Sequence, residues 1–177
     1  MNKLSIHYFK TGFGELVLGS FEDKLCLCDW RYRKKRSSID KKILLELDAY
    51  FEEEETNVHQ IVKTQLNEYF KGDRKDFDIP ILMVGSSFQK SVWNELLKIP
   101  FGKTETYLGI TRKIGDEKAI RAVANANGAN AIAIIIPCHR IVGSKGKMVG
   151  YAGGIKVKEK LLNLESGNPT TEQMSLF

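Results

Sequence analysis

A thiol, an imidazole and a guanidinium stand side by side at Cys138, His139 and Arg140, directly behind Pro137 and the isoleucine run 134–136. In that order they supply a soft nucleophile, a group that exchanges protons near neutral pH, and a permanent cation. A cysteine attacks as its thiolate, and its ordinary pKa lies at about 8.5, so the chemistry asks for a neighbouring base. The isoleucine run reads as a buried strand, which sets the nucleophile at the mouth of the core. Covalent transfer of a group onto the sulfur and a Cys-His hydrolase are both compatible with these residues.

The elements that must hold this stretch follow from punctuation and periodicity. Ser87 is placed to cap a helix over "FQKSVWNELLKI", whose Phe88, Val92, Trp93 and Leu96 share one face, and Pro100 and Gly102 end it. A second helix is predicted from about Tyr107 to Ile114, closed by Gly115, and Asp116 is placed to cap a third over "EKAIRAVANANGAN". Two short helices joined through a Gly-Asp turn outline a helix-turn-helix, whose second helix enters a DNA groove. That helix is thin, with Ala119, Ala122, Ala124, Ala126, Gly128 and Ala129 around the long Arg121. A thin helix suits close packing on another helix, and it suits a narrow groove where Arg121 fills the space of an extruded base.

The first half is organised differently. Residues 3–30 alternate apolar and polar with glycine breaks, as antiparallel strands do, and "RYRKKR" (31–36) interrupts them as a loop. Helical periodicity runs from Asp40 to about Glu54 and again from Val58 to Phe70, and "ILMVG" reads as a short strand before a boundary near Gly85. The fold class expected is two-domain α/β, with an α/β domain over 1–85, a mainly helical domain with a helix-turn-helix over 86–165 and a flexible tail over 166–177.

Charge separates the halves. The net charge is +5, yet residues 86–165 carry 13 Lys plus Arg against 6 Asp plus Glu, so the rest of the chain is slightly acidic. A basic domain is what a phosphate backbone selects, and it is equally what a solvated basic face looks like. No apolar run reaches the roughly 20 residues of a membrane span, and the first dozen residues lack the order of a signal peptide. The expected address is the cytoplasm, with no membrane partner and three reduced cysteines.

Taken together, "FQKSVW", "IPFGKT", "RAVANANGAN", "PCHRIV", "GYAGG" and "KEKLLNLE" occur in fixed order over 87–165 and resemble the methylated-DNA–protein-cysteine methyltransferases, suicidal repair proteins that take alkyl groups from the 6-oxygen of guanine. The first half is similar in position and pattern to that family's ribonuclease-H-like domain. The resemblance implies that Cys138 is the acceptor, that His139 draws off its proton through a water while Glu165 orients the imidazole, and that Asn130 ties the turn around the cysteine. It further implies that Tyr107 donates to the departing base and that Arg121 enters the base stack. Ala122, Ala126, Arg140 and Tyr151 are placed at the DNA beside it, and backbone groups of Cys138 and Ile141 read the base edge. Ala152 stands where many relatives have serine and Ala124 where glycine is common, and neither change removes a chemical role.

The function expected is a single-turnover repair protein for double-stranded DNA, acting on 6-O-methylguanine and also on 4-O-methylthymine, as a monomer without cofactor. A damage sensor that binds without transferring is the other reading of the same motifs. A hydrolase would not require the basic helix with its arginine. Cys26 and Cys28 fit small apolar packing or, with His7 and His59, a zinc site, and no metal is expected. In the tail, "QMSLF" (173–177) resembles the peptide with which bacterial replication and repair proteins dock on the sliding clamp, with Gln173 setting the register and Leu176 and Phe177 filling the pocket.

Overall fold

The computed structural model describes residues 1–167, which fall into two compact units, Met1–Val84 and Gly85 onward. The clamp-docking expectation for Gln173, Leu176 and Phe177 therefore lies outside the described residues. Among the described residues no helix is long and apolar enough to cross a membrane.

In the first unit the predicted meander forms. β1 (Asn2–Thr11), β2 (Gly14–Phe21) and β3 (Lys24–Trp30) pair antiparallel, and a fourth strand completes the order β3-β2-β1-β4. The β2–β3 hairpin turns on Glu22 and Asp23, both at positive φ (47° and 60°), the twist a two-residue hairpin demands. The helix expected to run to Glu54 stops early: α1 spans Arg36–Glu46, Asp48 takes φ 46°, and Ala49–Glu53 becomes β4, parallel to β1. The reason is non-local, since β1 offers an open edge whose ladder outweighs the helical pattern of a short segment. α2 (Asn57–Phe70) lays Val62, Leu66, Tyr69 and Phe70 in the core with Leu4, Leu16, Leu18 and Leu27. Its first turn is closed by a reciprocal cap in which Thr56 Oγ1 accepts from the His59 N–H and His59 Nδ1 accepts from the Thr56 N–H at 3.1 Å.

One other expectation in this unit needs correction. "ILMVG" is not a strand; Ile81 alone bridges Leu25, anchored by Leu25 N–H to Pro80 O and Leu82 N–H to Leu25 O, both 2.8 Å. The basic cluster is a loop as expected through residue 35, with Arg36 opening α1, and Arg33 and Arg36 reach the fully buried Asp29 Oδ2 at 3.0 and 2.7 Å. Cys26 and Cys28 are buried on β3 and not in a disulfide, and among the described residues no group of three or more acidic, Cys or His side chains is placed to hold a metal ion.

The second unit is helical. α3 (Ser87–Leu97) is capped by Ser86, one residue before the expected Ser87, through a box with Gln89. The two-residue strand β5 (Glu105–Thr106) leads straight into α4 (Tyr107–Ile114), capped by Thr106 and closed by Gly115 at φ 97°. Asp116 caps only a single 3-10 turn, Glu117–Ala119, before the shorter helix α5 (Ile120–Gly128). α3, α4 and α5 pack together, and Trp93 Nε1–H donates to Ala126 O at 2.8 Å across α3 and α5. After α5 come a loop, a 3-10 turn over Cys138–Arg140, the short strand β6 (Ile141–Val142) and α6 (Ile155–Glu165).

Candidate active site

The isoleucine run is buried as expected but is not a strand. Residues 131–136 form a coiled loop in which every residue is buried and Ile134 sits at φ 70°, a costly conformation for a β-branched side chain. A buried loop must satisfy its backbone polar groups, and Asn130 does much of this. Its Nδ2 donates to Ile136 O at 2.9 Å and Ile132 O at 3.4 Å, while Oδ1 accepts from the Ile132 N–H at 3.0 Å. The Cys138 N–H then donates to Ile136 O at 2.8 Å, which sets the cysteine at the first position of its 3-10 turn, 5 % exposed.

The same turn points the next two side chains at the end of α6. His139 Nε2 lies 2.7 Å from Glu165 Oε1, with both side chains fully buried. Arg140 grips the same carboxylate from the other side, Nε to Oε2 at 2.9 Å and Nη2 to Oε1 at 3.0 Å, and its Nη1 donates to Ile99 O at 2.6 Å. Burial pushes the Glu165 carboxyl up, but the hydrogen bonds and charges of His139 and Arg140 outweigh it and hold the pKa at about 2. Burial lowers the His139 pKa below its ordinary value against the pull of Glu165. A neutral imidazole whose Nε2–H donates to a fixed carboxylate presents Nδ1 as its basic atom, and Nδ1 makes no hydrogen bond within the protein.

Tyr107 reaches this centre through the β5–β6 ladder. Thr106 pairs with Val142 and Glu105 with Ile141, so the start of α4 lies beside the segment that leaves Cys138–Arg140. Burial raises the Tyr107 pKa first, the negative charge of nearby Cys138 adds to this, and the polar Asn127 side chain opposes both. The ring of Tyr151 stands edge-on to His139, centroids 6.5 Å apart. On α5 the residues Arg121, Ala122, Asn125 and Gly128 are exposed along one face, while Val123, Ala126, Asn127 and, just beyond the helix, Asn130 are buried on the other.

Cys138, His139, Glu165, Asn130 and Tyr107 are thus brought together, and Arg121 and Ala122 lie on an open helix face. Two residues expected at DNA do not face solvent. Arg140 is 6 % exposed with its guanidinium committed to Glu165 and Ile99, and Ala126 is 2 % exposed beneath Trp93. Both were placed by position in a motif, which carries no information about burial. Lys158 was not foreseen: it is fully buried beside Cys138, its Nζ donating to Val149 O at 2.8 Å, and burial lowers its pKa while the thiolate charge of Cys138 raises it. The signal was available, since Lys158, Leu161 and Glu165 fall at helical spacing on the one buried face of α6.

Comparison with known proteins agrees with this geometry. Residues 87–167 match the family described as 6-O-methylguanine DNA methyltransferase, DNA binding domain, and residues 4–83 match its ribonuclease-like domain. The chain is 42 % identical over 157 residues to a methylated-DNA–protein-cysteine methyltransferase of Methanosarcina acetivorans, covering 89 % of this chain and 95 % of that one. It is 37 % identical over 157 residues to the constitutive protein of that kind from Bacillus subtilis, covering 88 % and 92 %. Among solved structures it is similar to Mycobacterium tuberculosis OGT in complex with DNA, with a TM-score of 0.79, 33 % identity and 99 % of each chain covered.

Proposed function

From the premise that this chain belongs to the 6-O-methylguanine DNA methyltransferase family, we propose that Cys138 is the sulfur on which its one-time repair reaction ends. The protein is a DNA repair methyltransferase that moves the methyl group of 6-O-methylguanine onto its own cysteine. The observation that carries the assignment to Cys138 is the buried relay from its neighbour His139 to Glu165, clamped by Arg140. His139 Nδ1 takes the thiol proton through a water, and the sulfur attacks the methyl carbon in line. The S–C bond forms as the carbon–oxygen bond breaks, and the bonding pair leaves with the guanine. The Tyr107 hydroxyl meets that developing charge, so the proton lost by sulfur is balanced by one gained by the base.

A nearly buried thiol cannot reach an alkyl carbon stacked inside a duplex, so the base must be turned out, with Arg121 taking its place from the exposed face of α5. Ala122 and Tyr151 line the approach in this reading. 4-O-methylthymine offers the same methyl–oxygen bond on a smaller ring and is a second substrate. In this reading the protein acts as a monomer, every group of the site coming from one unit of one chain, and it works in the cytoplasm.

Incubation with a duplex holding one 6-O-methylguanine is expected to add one methyl, about 14 Da, to the peptide containing Cys138, and Cys138→Ala is expected to abolish the gain while still binding DNA. Binding without any gain in mass would return the damage-sensor reading. We also propose that residues 173–177 dock on the sliding clamp. A variant ending at Glu172 is expected to lose clamp binding and to keep its transfer rate on free duplex; equal clamp binding by both forms would remove the idea.

A further inference from the structure

Asn125 stands on the exposed face of α5, four residues after Arg121, with Ala122 and Gly128 on the same face. The three asparagines of this stretch have different surroundings. Asn130 staples the loop that follows, Asn127 is buried, and Asn125 is exposed, its amide making no hydrogen bond among the described residues. Asparagine is a weaker helix former than the alanines at 124 and 126, so the helix itself does not ask for it. Of the exposed residues of α5 only Arg121 and Asn125 are polar, and residues four apart are neighbours on a helix surface. Nothing crowds the next turn: a Cβ added at Gly128 would meet nothing within 4 Å beyond the helix itself.

Where Arg121 takes the place of an extruded base, a side chain one turn further on lies about 6 Å along the helix, close to two base steps of roughly 3.4 Å. Its amide then meets the edges of the pairs beside the lesion. A carboxamide both accepts and donates, and in the minor groove an A·T pair offers acceptors alone while a G·C pair adds the 2-amino donor of guanine. The oxygen of Asn125 can accept from that amino group as its N–H donates to guanine N3, which gives G·C a hydrogen bond that A·T lacks. We infer that Asn125 is a specificity-determining residue, whose amide reads guanine in the pairs flanking the damaged base and so ties the rate of methyl transfer to a 2-amino group there. The small residues around it suit the narrow groove, where that amino group is displayed. The inference rests on the proposal that the exposed face of α5 meets DNA, and deepens it by giving that face a preference among neighbouring pairs.

The test deletes the amino group from the DNA and the amide from the protein. Duplexes with one 6-O-methylguanine flanked by G·C pairs are compared with duplexes in which inosine replaces each flanking guanine in turn, a change that removes the 2-amino group alone. Inosine at one flanking position is expected to slow the second-order rate of transfer by the wild type by about threefold to tenfold relative to Asn125→Ala on the same pair of duplexes, the range one neutral hydrogen bond supports. Inosine also weakens the flanking pair and so eases extrusion, but it does so for both proteins, and the ratio between them removes that effect. In the converse change, 2,6-diaminopurine in place of a flanking adenine adds the amino group and is expected to speed the wild type relative to Asn125→Ala by a similar factor. Alanine suits an exposed helix position, so circular dichroism and Tm are expected to show the variant folded. The same response to inosine in both proteins would overturn the inference. So would a wild type slowed, relative to the variant, by 7-deazaguanine and not by inosine, since that base alters the major groove only. Should Arg121→Ala lose equally on duplex and free base, the reading of α5 falls and takes this one with it; a loss confined to duplex beside equal inosine responses removes this one alone.

Discussion

Arg140 divides two kinds of electrostatic work that look alike in a sequence. A guanidinium on a DNA surface neutralises phosphate and is felt through salt dependence, whereas Arg140 is buried against Glu165 and the Ile99 carbonyl. Truncating one partner of a buried pair leaves the other charge uncompensated, which costs about 3–5 kcal/mol. Arg140→Ala is therefore expected to lower unfolding stability by that order, measured by urea denaturation, and to leave the slope of DNA affinity against salt unchanged. A slope reduced by about one charge would mean that Arg140 reaches a phosphate after all. Lys158 poses the same contrast more sharply, since it is a fully buried cation whose ammonium donates to a backbone carbonyl and whose charged neighbour is the reacting sulfur.

At the scale of elements, α5 works because its two faces have opposite tasks. The buried face is pinned by the Trp93 indole to Ala126 O and by the Asn130 staple just beyond its end, so the exposed face, with Arg121 as its one long side chain, is presented rigidly. Small residues there let the helix come close to DNA while Arg121 projects. Arg121→Ala is expected to slow methyl transfer from duplex by tenfold or more and to change transfer from the free base by about twofold at most, because only the duplex has a stack to refill. Equal losses on the two substrates, read by mass spectrometry over time, would assign Arg121 to the fold.

For the whole molecule, acid should act on both units as pH falls below about 6.5, because each buries a histidine held below its ordinary pKa, His59 in the first and His139 in the second, and Glu165 adds a lower window to the second alone. His59 in the first unit is pushed down to about 4, chiefly by burial and next by the charge of His7. The unfolded chain then binds more protons than the folded one between about pH 6.5 and 4, so stability is complete above that window and lost as pH falls through it. Glu165 in the second unit is held at about 2, so its contribution is complete above about pH 4.3 and lost toward pH 2. Each loss is on the order of 3 kcal/mol. With one tryptophan in each unit, Trp30 and Trp93, fluorescence-detected unfolding at stepped pH should resolve the two. His59→Gln, which keeps a side chain able to close the Thr56 cap, is expected to erase the upper loss of the first unit only, and Glu165→Gln the lower loss of the second unit only. A single loss shared by both units and insensitive to these changes would refute the assignment.

What the chain wrote locally was legible in advance: the Cys138–His139 pair behind Pro137, the meander of β1 to β3, α4 closed by Gly115, and the capping signals, one of them read a residue late. Such features depend on neighbours a few positions away, so residue type and spacing contain them. The long-range matches in fixed order went further and brought Glu165, Asn130 and Tyr107 to the cysteine before any fold was known. Other features were decided only in three dimensions. Residues 49–53 became a strand because β1, some 45 residues earlier, offers an edge, and the isoleucine run became a stapled loop because Asn130 satisfies its backbone. Arg140 turned inward because its partners lie 25 and 41 residues away. Burial, on which the role of Lys158 rests, belongs to the packed chain, since a side chain's charge and polarity are fixed by its type while its solvent and partners are fixed by what packs around it.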